Sequence, residues 1–192
     1  MTEGYSLIEL LFATTLTLVV GATTLMPLRE TANDYRAAGA ARYVASVFQR
    51  ARMEAVARSA NVAIQFQPSA STYGCVLVVD GNADGVRTTD LRRGIDRGLT
   101  VIEHLPDNFP GVDFGVVPGL PPVDPGGTPP GTDPIKLGSS NLLSFAPTGS
   151  SSSGSVYIRG QRSIQFVVRV FGETGRTRVL RLDARLRQWK PL

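Results

Sequence analysis

One cysteine and one histidine in 192 residues exclude several kinds of chemistry before any pattern is considered. Cys75 has no second thiol in the chain, so no intramolecular disulfide can staple the fold. It lies in the apolar run Cys75-Val76-Leu77-Val78-Val79, which suits a small buried hydrophobe, with a free reactive thiol as the alternative. His104 would have to carry any Ser-His-Asp arrangement alone, and no nucleophile motif surrounds it. Zinc-ligand spacing, a glycine-rich phosphate loop between strand and helix, and a paired acidic motif are all lacking. The composition therefore reads as a protein that is not an enzyme and has no cofactor and no metal site. Charge is moderate, at 19% of residues with a net +4, and the mean hydropathy of +0.02 suits an ordinary globular fold beyond the first segment.

Charge is scarcest at the start. Between Gly4 and Met26 the only charged residue is Glu9, at the head of an apolar run of membrane length. A carboxylate in hydrocarbon costs about 3 kcal/mol unless a partner neutralises it. The obvious cation is the amino terminus of a neighbouring copy, which is the logic of a filament of packed helices. A secretory signal peptide would instead need a basic start and a small-residue cleavage site, and an ordinary single-span anchor would leave Glu9 unexplained.

Beyond Pro27, a place for a kink, the stretch 31–59 has no proline and only Gly39, and alanine and arginine dominate it. Ala40, Val44, Val47, Phe48, Ala51 and Ala55 recur at spacings of three and four, one apolar stripe with the arginines largely off it. A helix over residues 5–59 would be about 80 Å long, its second half packed on a sheet. Val62, Ile64 and Phe66 alternate as on a half-buried strand, and further strands are expected over 73–79, 99–102, 142–145, 155–158, 164–170, 178–182 and 185–189. Residues 106–140 hold nine of the 13 prolines and many glycines, which predicts an exposed, partly mobile insertion that buries no core. The fold class is thus α+β, a long N-terminal helix on one or two antiparallel sheets.

Gly4-Tyr5-Ser6-Leu7-Ile8-Glu9 resembles the type IV pilin-like signal: a glycine, an aromatic residue, and a glutamate fifth after the glycine. The resemblance implies cleavage by a prepilin peptidase after Gly4, N-methylation of Tyr5, and an assembly role for Glu9. The leader lacks the Lys or Arg expected on its flank. Within the superfamily the chain resembles the GspH/FimT branch of minor pseudopilins. Arg52-Met53-Glu54-Ala55-Val56-Ala57-Arg58 looks like its helix end, and Asp80-Gly81-Asn82-Ala83-Asp84-Gly85 like its turn. Phe145-Ala146-Pro147-Thr148-Gly149 looks like its late segment, and Gly175-Arg176-Thr177-Arg178 like its C-terminal motif. The resemblance implies a pilin-like fold in four parts: a leader (1–4), a transmembrane or filament-core helix (5–28), its amphipathic continuation (29–60), and a β-rich periplasmic domain (61–192) carrying the 106–140 insertion. It implies a single-pass protein of the bacterial inner membrane that joins other pseudopilins or pilins in a periplasmic filament and supports type II protein secretion.

Two further features have two readings each. The Asp80 turn matches the first half of an EF-hand loop, but Leu91 stands where that loop needs its glutamate. A hairpin turn is one reading, and a weak calcium site closed by Asp90 or a backbone carbonyl the other. Nine basic residues between Arg159 and Lys190 face only Glu173 and Asp183. Arg181, Arg185 and Arg187 on one strand face, with Arg176 and Arg178 and with Tyr157 and Trp189 for stacking, would make a candidate DNA-binding surface. The family's C-terminal Gly-Arg-x-Arg implies the same, as in a FimT-type minor pilin of a type IV pilus engaged in DNA uptake. A solvated face or a contact with another subunit is the alternative.

Overall fold

In the computed structural model the described residues are 6–69 and 72–192, the side chains of 22–30 excepted. One helix dominates: α1 (Leu7–Arg58), 52 residues long and assigned without a break across Pro27. It stops where Ser59 turns left-handed (φ 51°, ψ 33°), with its amide on the last-turn carbonyls of Ala55 and Val56.

Two open antiparallel sheets follow. The first has the order β3 (Arg97–Gly98), β2 (Thr72–Val79), β1 (Val62–Ser69), β7 (Leu142–Phe145), with β4 (Glu103–His104) also paired to β2. The second has the order β11 (Gln188–Pro191), β10 (Arg176–Asp183), β9 (Gln165–Phe171), β8 (Gly154–Arg159), β5 (Asp113–Phe114), with β6 (Ile135–Lys136) also on β8. Two short helices, α2 (Thr88–Arg93) and α3 (Leu105–Asn108), lie in the connections.

The second half of α1 lies against both sheets. Its stripe of Ala37, Ala40, Ala41, Val44, Phe48, Ala51 and Ala55 is buried with Ile64 and Phe66 of β1, Phe145 of β7, Ile158 of β8 and Phe166 and Val168 of β9. The small alanines let the helix axis approach the sheets, and Phe48 fills the remaining depth, meeting Phe66 edge-on at 6.4 Å. Strand alternation sends Ala63, Val76 and Val78 to the opposite face of the first sheet, beneath Val86 and Leu91. It likewise sends Tyr157, Val167, Leu180, Leu182 and Trp189 to the outer face of the second sheet.

The structure corrects several expectations. Among the described residues no helix is long and apolar enough to cross a membrane. A span needs about 20 predominantly apolar residues in succession. The first half of α1 carries Glu9 in its first turn and a threonine cluster, Thr14, Thr15 and Thr17, bonded back to the carbonyls of Leu11 and Ala13. The expected transmembrane helix is therefore set aside. The single-pass inner-membrane placement with a periplasm-facing domain, which rested on that helix, is set aside with it.

The Pro/Gly-rich insertion is the second correction. Val112, Phe114, Ile135 and Leu137 join the main core, and β5 and β6 pair with β8. Leu120, with Val116, Val117 and Val123 beside it, covers the outer face of the second sheet. Proline and glycine prevented long ladders, not burial: single apolar residues between turns reach the core one at a time. The strand expected over 99–102 is instead a loop between β3 and β4, and the one expected over 185–189 begins only at Gln188 because residues 184–187 form a turn.

Candidate functional site

The first candidate surface is the free half of α1. Leu7, Ile8, Leu10, Leu11, Phe12, Leu16, Leu18, Val19 and Val20 are all more than half exposed. At about 100° per residue these positions cover every side of the helix rather than a stripe. Exposed apolar surface of this extent marks a site of association, and its spread around the helix calls for more than one neighbour. The threonine hydroxyls, already bonded to carbonyls of the previous turn, bring no unmet donor into such a contact. Glu9 is exposed in the first turn, where the helix dipole favours a carboxylate. Gly4 and Tyr5 lie outside the described residues.

The second candidate is where three sequence motifs meet. Arg52 of α1 donates its Nε to the carbonyl of Gly149 at 2.9 Å. Gly149 (φ +85°) and Gly175 (φ +61°) hold adjacent turns so close that a Cβ on Gly175 would lie 2.5 Å from the Gly149 oxygen and 3.0 Å from Arg52 Nε. One turn earlier on α1, Gln49 Nε2 donates to Thr177 Oγ1 at 3.0 Å. The helix-end, Phe-x-Pro-x-Gly and Gly-Arg-x-Arg segments thus form one clamp that fixes both turns on the helix. Its geometry is structural: glycines make room and the guanidinium satisfies a carbonyl.

The five arginines expected to act together are dispersed. Arg176 and Arg178 project from the outer face of β10, and Arg178 lies over the Phe171 ring at 5.5 Å. Arg181 alternates to the other face and pairs with Asp34 of α1 at 2.8 Å. Arg185 and Arg187 sit in the 184–187 turn, where Arg187 donates to the Gly119 carbonyl. The expected common strand face for Arg181, Arg185 and Arg187 is corrected by that turn. Asp183 accepts from Lys190 and from the amides of Leu186 and Arg185, and these contacts, the Lys190 bond foremost, hold its carboxyl down at about 2.

The Asp80 loop is a carboxylate-centred turn followed by α2. Asp80 accepts amides from Asn82, Ala83 and Gly85 and the side-chain amide of Asn61. Burial pushes its carboxyl up, but those four donors prevail and its pKa is lowered. Asp96, also buried, accepts the amides of Gly81 and Arg87. Both carboxylates are thus engaged with backbone, and among the described residues no group of three or more metal-ligating side chains forms.

Cys75 is partly buried against the core, and burial foremost, then the Glu103 charge, pushes its thiol up to about 11. Beside it the Tyr43 hydroxyl donates to Glu103, a bond that pushes the phenol up to about 12. A thiol so raised is a poor nucleophile at neutral pH.

The sequence did not single out Gln165, and Arg169, also in β9, counted there only as one of the nine basic residues of the 159–190 stretch. Gln165, 1% exposed, accepts the amide of Val117 and donates to the carbonyls of Gly115, Ile158 and Phe166. It pins residues 115–117 of the insertion to the sheet. A polar residue opening a strand that continues Phe166-Val167-Val168 was the one available signal. No family model, curated protein or solved structure matches the chain.

Proposed function

We propose that the chain is a minor pseudopilin, a structural subunit of a type II secretion pseudopilus that supports protein export. The observation that carries the reading is the division of α1. Its second half is docked into the globular domain, while residues 7–20 place exposed apolar side chains on every side, with one carboxylate in the first turn. A helix of that kind fits a core of parallel neighbours, where each Glu9 meets the cationic amino terminus of an adjacent subunit. In this reading a prepilin peptidase cuts after Gly4, the new terminus at Tyr5 is N-methylated, and Glu9 pairs with that amine in the next subunit. The globular domain presents its surfaces to sibling pseudopilins. The alternative, a DNA-uptake pilin acting through the C-terminal arginines, would rest on Arg176 and Arg178, which share the outer face of β10, because Arg181 lies on the other face and Arg185 and Arg187 in a turn.

The test is mass spectrometry of the mature N-terminus from the producing cell, combined with a Glu9→Ala variant. The reading expects a chain beginning at N-methylated Tyr5 and loss of Glu9→Ala from co-purified filaments. An uncleaved N-terminus, or unchanged incorporation of Glu9→Ala, overturns it.

A further inference from the structure

The outer face of the second sheet holds a cationic seat next to the insertion. Arg169 and Arg178 are direct cross-strand neighbours on β9 and β10, and both guanidinium groups lie over the Phe171 ring, at 5.6 and 5.5 Å. Arg176 is paired with Phe171 itself. Like charges directly opposite one another destabilise a sheet, so three arginines here call for an anion. The chain supplies one: Asp124 of the insertion reaches Arg169 Nη2 with Oδ2 at 2.7 Å. Among the described residues Arg176 and Arg178 form no salt bridge.

The fork of Arg169 is only half used. Nη2 and Nε form one edge of a guanidinium, with parallel N–H bonds spaced for the two oxygens of a carboxylate. Asp124 takes one prong, while Nε is buried and meets no acceptor among the described residues. On the remaining edge Nη1 reaches Ser155 Oγ only at 3.5 Å. The Arg169 side chain is 20% exposed and Asp124 48%, so the seat opens to solvent on the Asp124 side.

Asp124 belongs to a segment held in place elsewhere. Trp189 Nε1 donates to the Pro121 carbonyl at 3.1 Å, and Gln165 and Arg187 hold residues 115–119. Removing the Asp124 contact therefore leaves the segment anchored.

We propose that Arg169, flanked by Arg178 and Arg176, anchors a carboxylate of an acidic segment on a partner protein, and that Asp124 is its built-in competitor. The occupant is assigned as a carboxylate because the seat already takes one, presented at a turn of the Pro/Gly-rich stretch where the Gly127 amide donates to the Asp124 carbonyl. The partner's acid displaces Asp124, fills both prongs of the fork, and places neighbouring acids beside Arg178 and Arg176. This inference does not depend on the filament reading, since it concerns a face remote from the free half of α1.

The experiment titrates the full chain with a fluorescein-labelled hexaglutamate peptide, followed by anisotropy, and with isotope-labelled arginine, followed by the Arg169 Nε–H resonance. Asp124→Asn should tighten peptide binding by about tenfold. Adding Arg169→Lys, which keeps the charge and removes the fork, should abolish that gain. In the unaltered chain, saturating peptide should shift the Arg169 Nε–H signal, a readout that depends on no variant folding. No shift of that signal overturns the proposal, as does equal binding by Asp124→Asn and the unaltered chain. Undiminished binding in the Arg169→Lys double variant reduces the face to general cationic attraction and also overturns it. So does displacement of the peptide by inorganic phosphate or a short oligonucleotide at lower concentration, since the occupant is then a phosphate.

Discussion

The two halves of α1 have similar apolar content and opposite surroundings. Phe48 is 0% exposed in the second half, whereas Phe12 is 72% exposed in the first. The second half carries its apolar residues as a stripe and leaves arginines off it, so the two sheets packed on that one side satisfy it. Residues 7–20 of the first half place exposed apolar side chains on every side, so a single sheet face could not cover them. The difference teaches that the pattern of apolar residues around the helix, more than their number, decides whether the partner lies inside or outside the molecule.

The largest effect should come from breaking the docked half. Phe48→Ala removes a fully buried ring packed on Phe66 and should cost about 3–5 kcal/mol in chemical denaturation. The matching change in the free half, Phe12→Ser, should leave the unfolding midpoint within about 0.5 kcal/mol while lowering self-association in sedimentation velocity. If both variants lose stability alike, the free half is covered from within and the contrast fails.

A smaller effect is expected at the clamp. Arg52→Ala leaves the Gly149 carbonyl without its donor and should cost about 1–3 kcal/mol, with faster amide exchange at the turns holding Gly149 and Gly175. The carboxyls of Asp80 and Asp183 are both depressed below the ordinary range. Their contribution is therefore fully present above the unfolded value of about 4 and is lost as pH falls through the folded values. Asp80→Asn should flatten the fall of the urea midpoint between pH 5 and pH 2.5, and an unchanged slope would assign acid loss elsewhere. The smallest change belongs to Arg181→Ala. It breaks a partly exposed pair with Asp34, near the point where α1 leaves the sheets, and should cost under about 1 kcal/mol by the same denaturation.

Much of the fold was legible because local patterns carry it. The stripe over α1, the alternation in β1 and the apolar run of β9 each point to one face. The insertion misled because proline and glycine signal the lack of a ladder and say nothing about where isolated residues such as Leu120 and Ile135 settle. The arginines misled for a related reason. A shared strand face requires that the strand continue, and the turn at residues 184–187 ends it.

By itself the sequence determined an α+β chain whose long helix has a striped half and an apolar half, because periodicities of 3.6 and 2 are local properties of the backbone. Only the tertiary structure decided that three separate motifs close on Arg52, that the insertion lies over the outer face of the second sheet, and that Asp124 takes half of the Arg169 fork. Those contacts join residues tens of positions apart, and their partners are selected by the packing of the whole chain, which no local pattern encodes.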